Sequence, residues 1–133
     1  MCRIDDCERS TVSANAWIKA RKPHACVECG RTIEPGETYR RDTNLYEGNW
    51  DTYKTCQHCV VGQRWLANNC GGWVFEAVGE ELVEHAEEYP AIGFGLLRVA
   101  VGMRRSWKRF DGVGLMAVPP MPRSIRSTLQ EAA

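Results

Sequence analysis

Two Cys-x-x-Cys pairs, Cys26/Cys29 in "HACVECGRTIEPGETYRR" and Cys56/Cys59 in "YKTCQHCVVGQRW", are separated by 26 residues. No other feature limits the fold so tightly. A Cys-x-x-Cys turn brings two thiolates onto one ion from neighbouring backbone positions, and two such turns complete a tetrahedral shell with Zn–S distances of about 2.3 Å. Gly30 follows the first pair where a knuckle must turn sharply. The second pair reads as a strand ending at Cys56 and a helix beginning at Cys59, where the helix dipole favours thiolate charge. The expectation is one structural Zn²⁺ held by Cys26, Cys29, Cys56 and Cys59. A shell closed by four protein ligands leaves no place for a reacting water, so the ion has no catalytic role. A thioredoxin-type dithiol needs one pair on a βαβ scaffold, and neither condition is met.

The segment "MCRIDDCERS" lacks the apolar run of a secretory signal, and no stretch approaches the roughly 20 apolar residues that span a bilayer. The expectation is a cytoplasmic protein with no membrane partner, a reducing setting in which metal ligation outweighs disulfides. Three of the seven cysteines, Cys2, Cys7 and Cys70, lie outside the pairs. With His24, His58 and His85 they match no standard ligand spacing, and Cys70 reads as a small buried apolar group. His85 falls on the apolar face of a helix and reads as a satisfied core residue.

A chain of 133 residues suits one compact domain that buries roughly two-thirds of its unfolded surface. The predicted class is α+β: a four-cysteine zinc-finger module of short β-hairpins and a helix, followed by a helical appendage. Residues 1–22 read as an N-terminal arm, 23–72 as the metal module, 73–117 as the appendage and 118–133 as a loose tail. Within the module, turns at Pro35-Gly36 and Gly48 suggest two hairpin-like units. A helix is expected over 59–70, stopped by Gly71-Gly72. A second carries Phe75, Val78, Leu82, His85, Ala86 and Tyr89 on one face and ends at Pro90. A third covers "IGFGLLRVAVGMRRSWKRF", weakened by its glycines, and three prolines in "MAVPPMPRSIRSTLQEAA" preclude a continuous helix after it.

The formal net charge of zero hides a local asymmetry: six glutamates without a Lys or Arg over 76–90, then seven Lys or Arg against Asp111 and Glu131 over 91–133. Arg104, Arg105, Lys108 and Arg109, interleaved with Trp107 and Phe110, form the best candidate for contact with nucleic acid: cations for phosphate, a ring for a base. The plainer reading has the rings packed inward and the bases paired with the acidic helix. Both stand at this point. The apolar run before the cluster is too short to span a membrane and reads as a core helix.

The order of knuckle, hairpin and strand-into-helix resembles the treble-clef zinc finger. Some treble-clef proteins are HNH nucleases, which use finger histidines to hold a catalytic metal; here the segment between the pairs has no histidine. No P-loop, GxGxxG or Ser/His/Asp pattern is present, and no small-molecule substrate is indicated. "KARKPHACVECGRTIEPGETY", "WDTYKTCQHC", "GMRRSWKRFDG" and "LMAVPP" together make residues 17–120 similar to a group of small bacteriophage and prophage proteins. That resemblance implies a phage-encoded protein in the host cytoplasm, with the four paired cysteines as zinc ligands and no catalytic residue. Three functions follow in order: a non-enzymatic accessory protein binding nucleic acid, a protein-binding inhibitor or adaptor acting on a host or phage complex, including a defence assembly, and an HNH-like nuclease.

Overall fold

The computed structural model describes residues 12–127 and is of mixed α+β architecture. Strands β1 (Val12–Lys19), β4 (Thr38–Tyr46) and β5 (Asn49–Cys56) form an antiparallel sheet in the order β1-β4-β5. A second, two-stranded sheet pairs β2 (His24–Ala25) with β3 (Thr32–Ile33). Helices α1 (Gln57–Cys70), α2 (Val78–Glu88) and α3 (Pro90–Arg104) follow.

Local chemistry accounts for the strand pairs. β4 and β5 join through Glu47 and Gly48, both at positive φ (50° and 81°), the backbone of a two-residue type I′ turn whose twist matches the strands. The first hairpin-like unit differs from expectation. The Pro35-Gly36 turn does not pair β3 with β4; it links the two sheets, with Gly36 N–H donating to Ala20 O (2.9 Å) and Ala20 N–H to Glu37 O (2.8 Å). The hairpin in this region is β2–β3, which brackets the first cysteine pair.

The N-terminal arm also differs. Its residues 12–19 are the edge strand β1, in register with β4 from Val12↔Leu45 to Lys19↔Thr38. Alternation in "VSANAWIK" is hidden because Ser13 to Trp17 are all exposed, so main-chain pairing and the packing of Ile18 on the core fix the strand. Residues 1–11 of the arm lie outside the described residues, and Ala20 is buried.

α1 begins two residues earlier than the sequence suggests and ends at the Gly71 cap. Pro90 both separates α2 from α3 and opens α3 at N1, where its missing N–H is no loss. The predicted third helix stops at Arg104 instead of reaching Phe110. Ser106 and Trp107 adopt left-handed φ (52° and 59°), and Trp107 N–H returns to Gly102 O at 2.8 Å. A Cβ on Gly102 would occupy the space of the Trp107 ring. Residues 107–116 then form a tight return, with Lys108 bridged to Leu115 and Met116 N–H donating to Trp107 O at 2.7 Å.

One core joins the cysteine module to the helices, running from Ile33, Tyr39 and Cys56 through Trp65 and Leu66 to Val78, Leu82, Leu96, Val99 and Trp107. Over its described part, residues 118–127, the predicted tail makes contacts with α1. Pro119 and Pro122 are buried, Trp65 Nε1–H donates to Arg123 O (2.9 Å), and Ile125 N–H donates to Asn69 Oδ1 (2.9 Å). Proline excludes helix over 119–122 and suits an extended strap, and residues 125–127 then turn helical. Residues 128–133 lie outside the described residues. Among the described residues no helix is long and apolar enough to cross a membrane.

Candidate metal centre

The knuckle is built by main-chain bonds. Cys26 N–H donates to Arg31 O and Gly30 N–H to Cys26 O, both at 2.9 Å, so Cys26 and Cys29 share one side of the turn. β5 delivers Cys56 at its last position, and Cys59 follows in the first turn of α1. The four sulfurs lie within 4.8 Å of one another, with Cys29 Sγ to Cys56 Sγ at 3.9 Å. All four thiols are free of disulfides. A tetrahedral ion with metal–sulfur bonds of about 2.3 Å separates its ligands by about 3.8 Å, the spacing such a cluster offers. Cys26, Cys56 and Cys59 are buried and Cys29 is half-buried, so the geometry is that of a closed metal site.

The four thiols shift one another's proton affinities. Hydrogen bonding from Cys29 pulls Cys26 down to about 7, and hydrogen bonding from Cys26 holds Cys56 below the usual thiol range. Cys29 and Cys59 are pushed up, chiefly because each donates to Cys26. With all four sulfurs deprotonated they would repel one another, and a divalent cation would offset that repulsion.

Donors already aim at the sulfurs. Cys56 N–H points to Cys26 Sγ at 3.4 Å, and Trp107 Nε1–H to Cys59 Sγ at 3.2 Å. Arg31 forms a two-pronged pair with Glu37 (Nη2–Oε1 2.8 Å, Nη1–Oε2 3.1 Å). Burial opposes the Arg31 charge, but Glu37 and Cys56 together raise its pKa above the usual value. Arg31 thus belongs to the surroundings of Cys56. Lys54 Nζ instead stands 3.2 Å from His24 Nδ1.

The expected contact residues separate into different roles. Trp107 is only 1% exposed, so its ring is not on the surface to stack on a base. Sequence spacing put Trp107 beside the cations but could not reveal the backbone reversal at Ser106. Phe110 is 76% exposed, with the Arg105 guanidinium 4.2 Å from its ring centre. Arg105 also donates to Lys108 O (3.2 Å) and Arg109 O (3.1 Å), so it props the turn. Lys108 and Arg109 are exposed, the latter 3.7 Å from Asp111. Arg104 lines a groove together with Glu76, Glu80, Glu84 and Glu87, away from the turn.

Further residues tie this turn to the centre. Ser106 Oγ–H donates to Cys29 O at 2.8 Å, and His58 Nε2 lies 2.6 Å from Met116 O. No motif announces them, because both contacts depend on how the α3 terminus folds back. No family model, curated protein or solved structure matches this chain.

Proposed function

We propose that the chain is a non-enzymatic, phage-encoded accessory protein in which a treble-clef-like zinc finger with four cysteine ligands holds a basic turn for contact with nucleic acid. The finger assignment follows chain order: the β2–β3 knuckle, the β4–β5 hairpin, then α1 carrying the last ligand. Zinc suits four thiolates at tetrahedral spacing, with iron the other ion of that preference. The phage origin rests on sequence resemblance alone.

The observation that carries the binding function is the Trp107–Cys59 contact, which fixes the turn bearing Lys108, Arg109 and the exposed Phe110 against the metal centre. A pre-ordered turn loses little conformational entropy on binding. Its cations match a phosphate backbone, and Phe110 offers an open ring face for an unpaired base. The test is anisotropy of a labelled single-stranded oligonucleotide against salt. If Lys108 and Arg109 meet phosphates, the logarithmic salt slope is about −1.4, and replacing both with alanine abolishes it. Phe110→Ala removes about 1–3 kcal/mol if one base stacks there. No binding at low ionic strength refutes the reading.

A second reading, a protein-binding inhibitor or adaptor for a host or phage complex, is favoured by the exposed apolar residues Phe94, Leu97 and Val101 along α3. Recovery of one host protein that survives nuclease treatment and is lost on Phe94→Asp would support it. The HNH nuclease reading is disfavoured by the burial of His58 and its contact with Met116 O. It predicts divalent-metal-dependent cutting that disappears in His58→Ala.

A further inference from the structure

Outside the four-cysteine centre the unassigned chemistry lies on the three-stranded sheet, not at Cys70, which is disulfide-bonded rather than the packed apolar thiol its place in the sequence suggests. The two faces of this sheet differ. Side chains alternate along a strand, so Tyr53 and Thr55 of β5 share a face with Arg40 and Asp42 of β4. That face is covered: Tyr53 stacks on Phe75 at 3.9 Å, Arg40 lies 5.4 Å from the centre of the Trp73 ring, and Gln63 Nε2–H donates to Thr55 Oγ1 at 3.2 Å. The opposite face carries Tyr39, Arg41, Thr43 and Leu45 on β4 beside Cys56, Lys54, Thr52 and Trp50 on β5. Its Tyr39–Cys56 end is buried. Beyond that end Arg41, Thr52 and Trp50 are exposed and Lys54 is half-buried.

Charge on this open face is of one sign. Asp42 and Asp51, the acids of the three strands, alternate onto the other face. Arg41 and Lys54 stand directly opposite each other in the register. Like charges so placed, with Cβ atoms about 5 Å apart, destabilise a sheet. Among the described residues no carboxylate lies within ion-pair distance of either cation. Lys54 Nζ stands 3.2 Å from His24 Nδ1, and an imidazole that accepts this bond aims the ammonium without neutralising it. Farther along β5, four residues or about 13 Å from Lys54, the Trp50 side chain is 60% exposed. Protein surfaces hold single-stranded nucleic acid with these two elements, a ring that stacks a base and cations that meet phosphates. Thr43 and Thr52, paired between them, add hydroxyls suited to phosphate and sugar oxygens. A small anion would satisfy the cations and leave the indole idle; an extended strand uses both.

We propose that this face, from Trp50 to the Arg41–Lys54 pair, is a second contact surface for single-stranded nucleic acid. A phosphate between Arg41 and Lys54 turns their repulsion into a shared attraction, and the strand continues along β5 to lay a base on Trp50. The partner class rests on the nucleic-acid reading above; the site does not, since it shares no residue with the turn after α3.

The test is anisotropy of labelled oligothymidylate with zinc-loaded protein across a salt series. Two phosphate contacts on the sheet contribute about −1.4 to the logarithmic salt slope, in addition to the share of the turn. Arg41→Gln/Lys54→Gln should remove that contribution while melting no lower than the parent, because it relieves a like-charge pair. Lys108→Ala/Arg109→Ala should retain it, whereas a turn acting alone would leave none. Trp50→Ala, at an exposed position, should weaken binding about 5- to 150-fold. Arg64→Gln/Arg126→Gln removes equal charge from exposed positions outside the sheet and should leave the slope unchanged. A parental slope in the Arg41/Lys54 variant overturns the proposal and leaves the turn reading standing. A parental slope in the Lys108/Arg109 variant, with loss in the Arg41/Lys54 variant, supports the sheet and sinks the turn. An equal loss in the Arg64/Arg126 control overturns the proposal, as does displacement of the oligonucleotide by polyglutamate with no effect of Trp50→Ala, the pattern of a face made for an acidic protein.

Discussion

Gly102→Ala tests whether the α3 terminus is locked against the metal centre. An added Cβ would lie 2.1 Å from Trp107 Cζ3, 2.4 Å from Cε3 and 2.7 Å from Cη2. Ordinary carbon contacts are about 3.5–4.0 Å, so the ring must withdraw by more than about 1 Å. It has little freedom to do so. The indole is almost fully buried, its Nε1–H points to Cys59 Sγ, and the Trp107 backbone bonds both Gly102 O and Met116 N–H. Alanine's helix preference favours the variant by about 1 kcal/mol. Overpacking opposes it by about 1–3 kcal/mol, and loss of a hydrogen bond to charged sulfur by about 1.5–3 kcal/mol. The net expectation is a loss of about 2–4 kcal/mol, a fall of about 8–15 °C in the unfolding midpoint for a domain of this size. Gly79→Ala is the control, since its Cβ meets only Met103 Cε at 3.9 Å and Sδ at 4.0 Å. It should be neutral or gain about 0.5 kcal/mol. Scanning calorimetry of the zinc-loaded proteins gives the midpoints, and zinc transfer to a colorimetric chelator should be faster in Gly102→Ala. If both alanine variants are equally stable and release zinc at the parental rate, the locking argument is wrong.

Chelation should unfold the knuckle and the start of α1, because structural zinc contributes about 10–16 kcal/mol in apparent terms against a typical net domain stability of about 5–15 kcal/mol. Circular dichroism should record that loss and its reversal on adding zinc; an unchanged spectrum in demonstrably metal-free protein would contradict it. Burial raises the Asp42 pKa above its ordinary value of 3.8, despite Arg40 Nε at 3.3 Å. The charged form is therefore disfavoured by folding, and stability falls as pH rises from the ordinary value through the raised one. Asp42→Asn should gain relative stability across that window and lose the gain below it, as measured by urea denaturation at several pH values. Asn69→Ala removes the acceptor for Ile125 N–H and should cost about 1 kcal/mol while speeding proteolysis within 118–127; an unchanged cleavage pattern would show that the strap is not held there.

What the sequence revealed, and what it hid, follows the range of the interactions. The cysteine cluster was legible because both halves are local turns of fixed spacing, and the β4–β5 hairpin because Gly48 marks its turn. The α2 face was legible from Val78, Leu82 and Ala86, which recur at helical steps and are buried. β1 was not, since its exposed residues carry no alternation and its place comes from main-chain pairing with β4. The strap over 118–127 was missed for a related reason: its anchors are the indole of Trp65 and the amide of Asn69, both on a helix far away in sequence. Trp107 was misplaced because aromatic residues among cations look alike in sequence whether a following turn is open or folded back.

That folding back makes the cysteine module and the helices one mechanical unit. Ser106 reaches the carbonyl of Cys29 in the first pair, Trp107 the sulfur of Cys59 in the second, and Met116 the ring of His58 between the second pair's cysteines. Three contacts from one eleven-residue return therefore address both halves of the cluster. If a cation leaves, the four sulfurs repel, the Trp107 and Ser106 partners shift, and the turn bearing Lys108, Arg109 and Phe110 loses its support. Binding through that turn should then depend on zinc although none of its side chains is a ligand. A salt-dependent oligonucleotide affinity that survives complete zinc removal would separate the two halves of this argument, leaving the metal a role in stability alone.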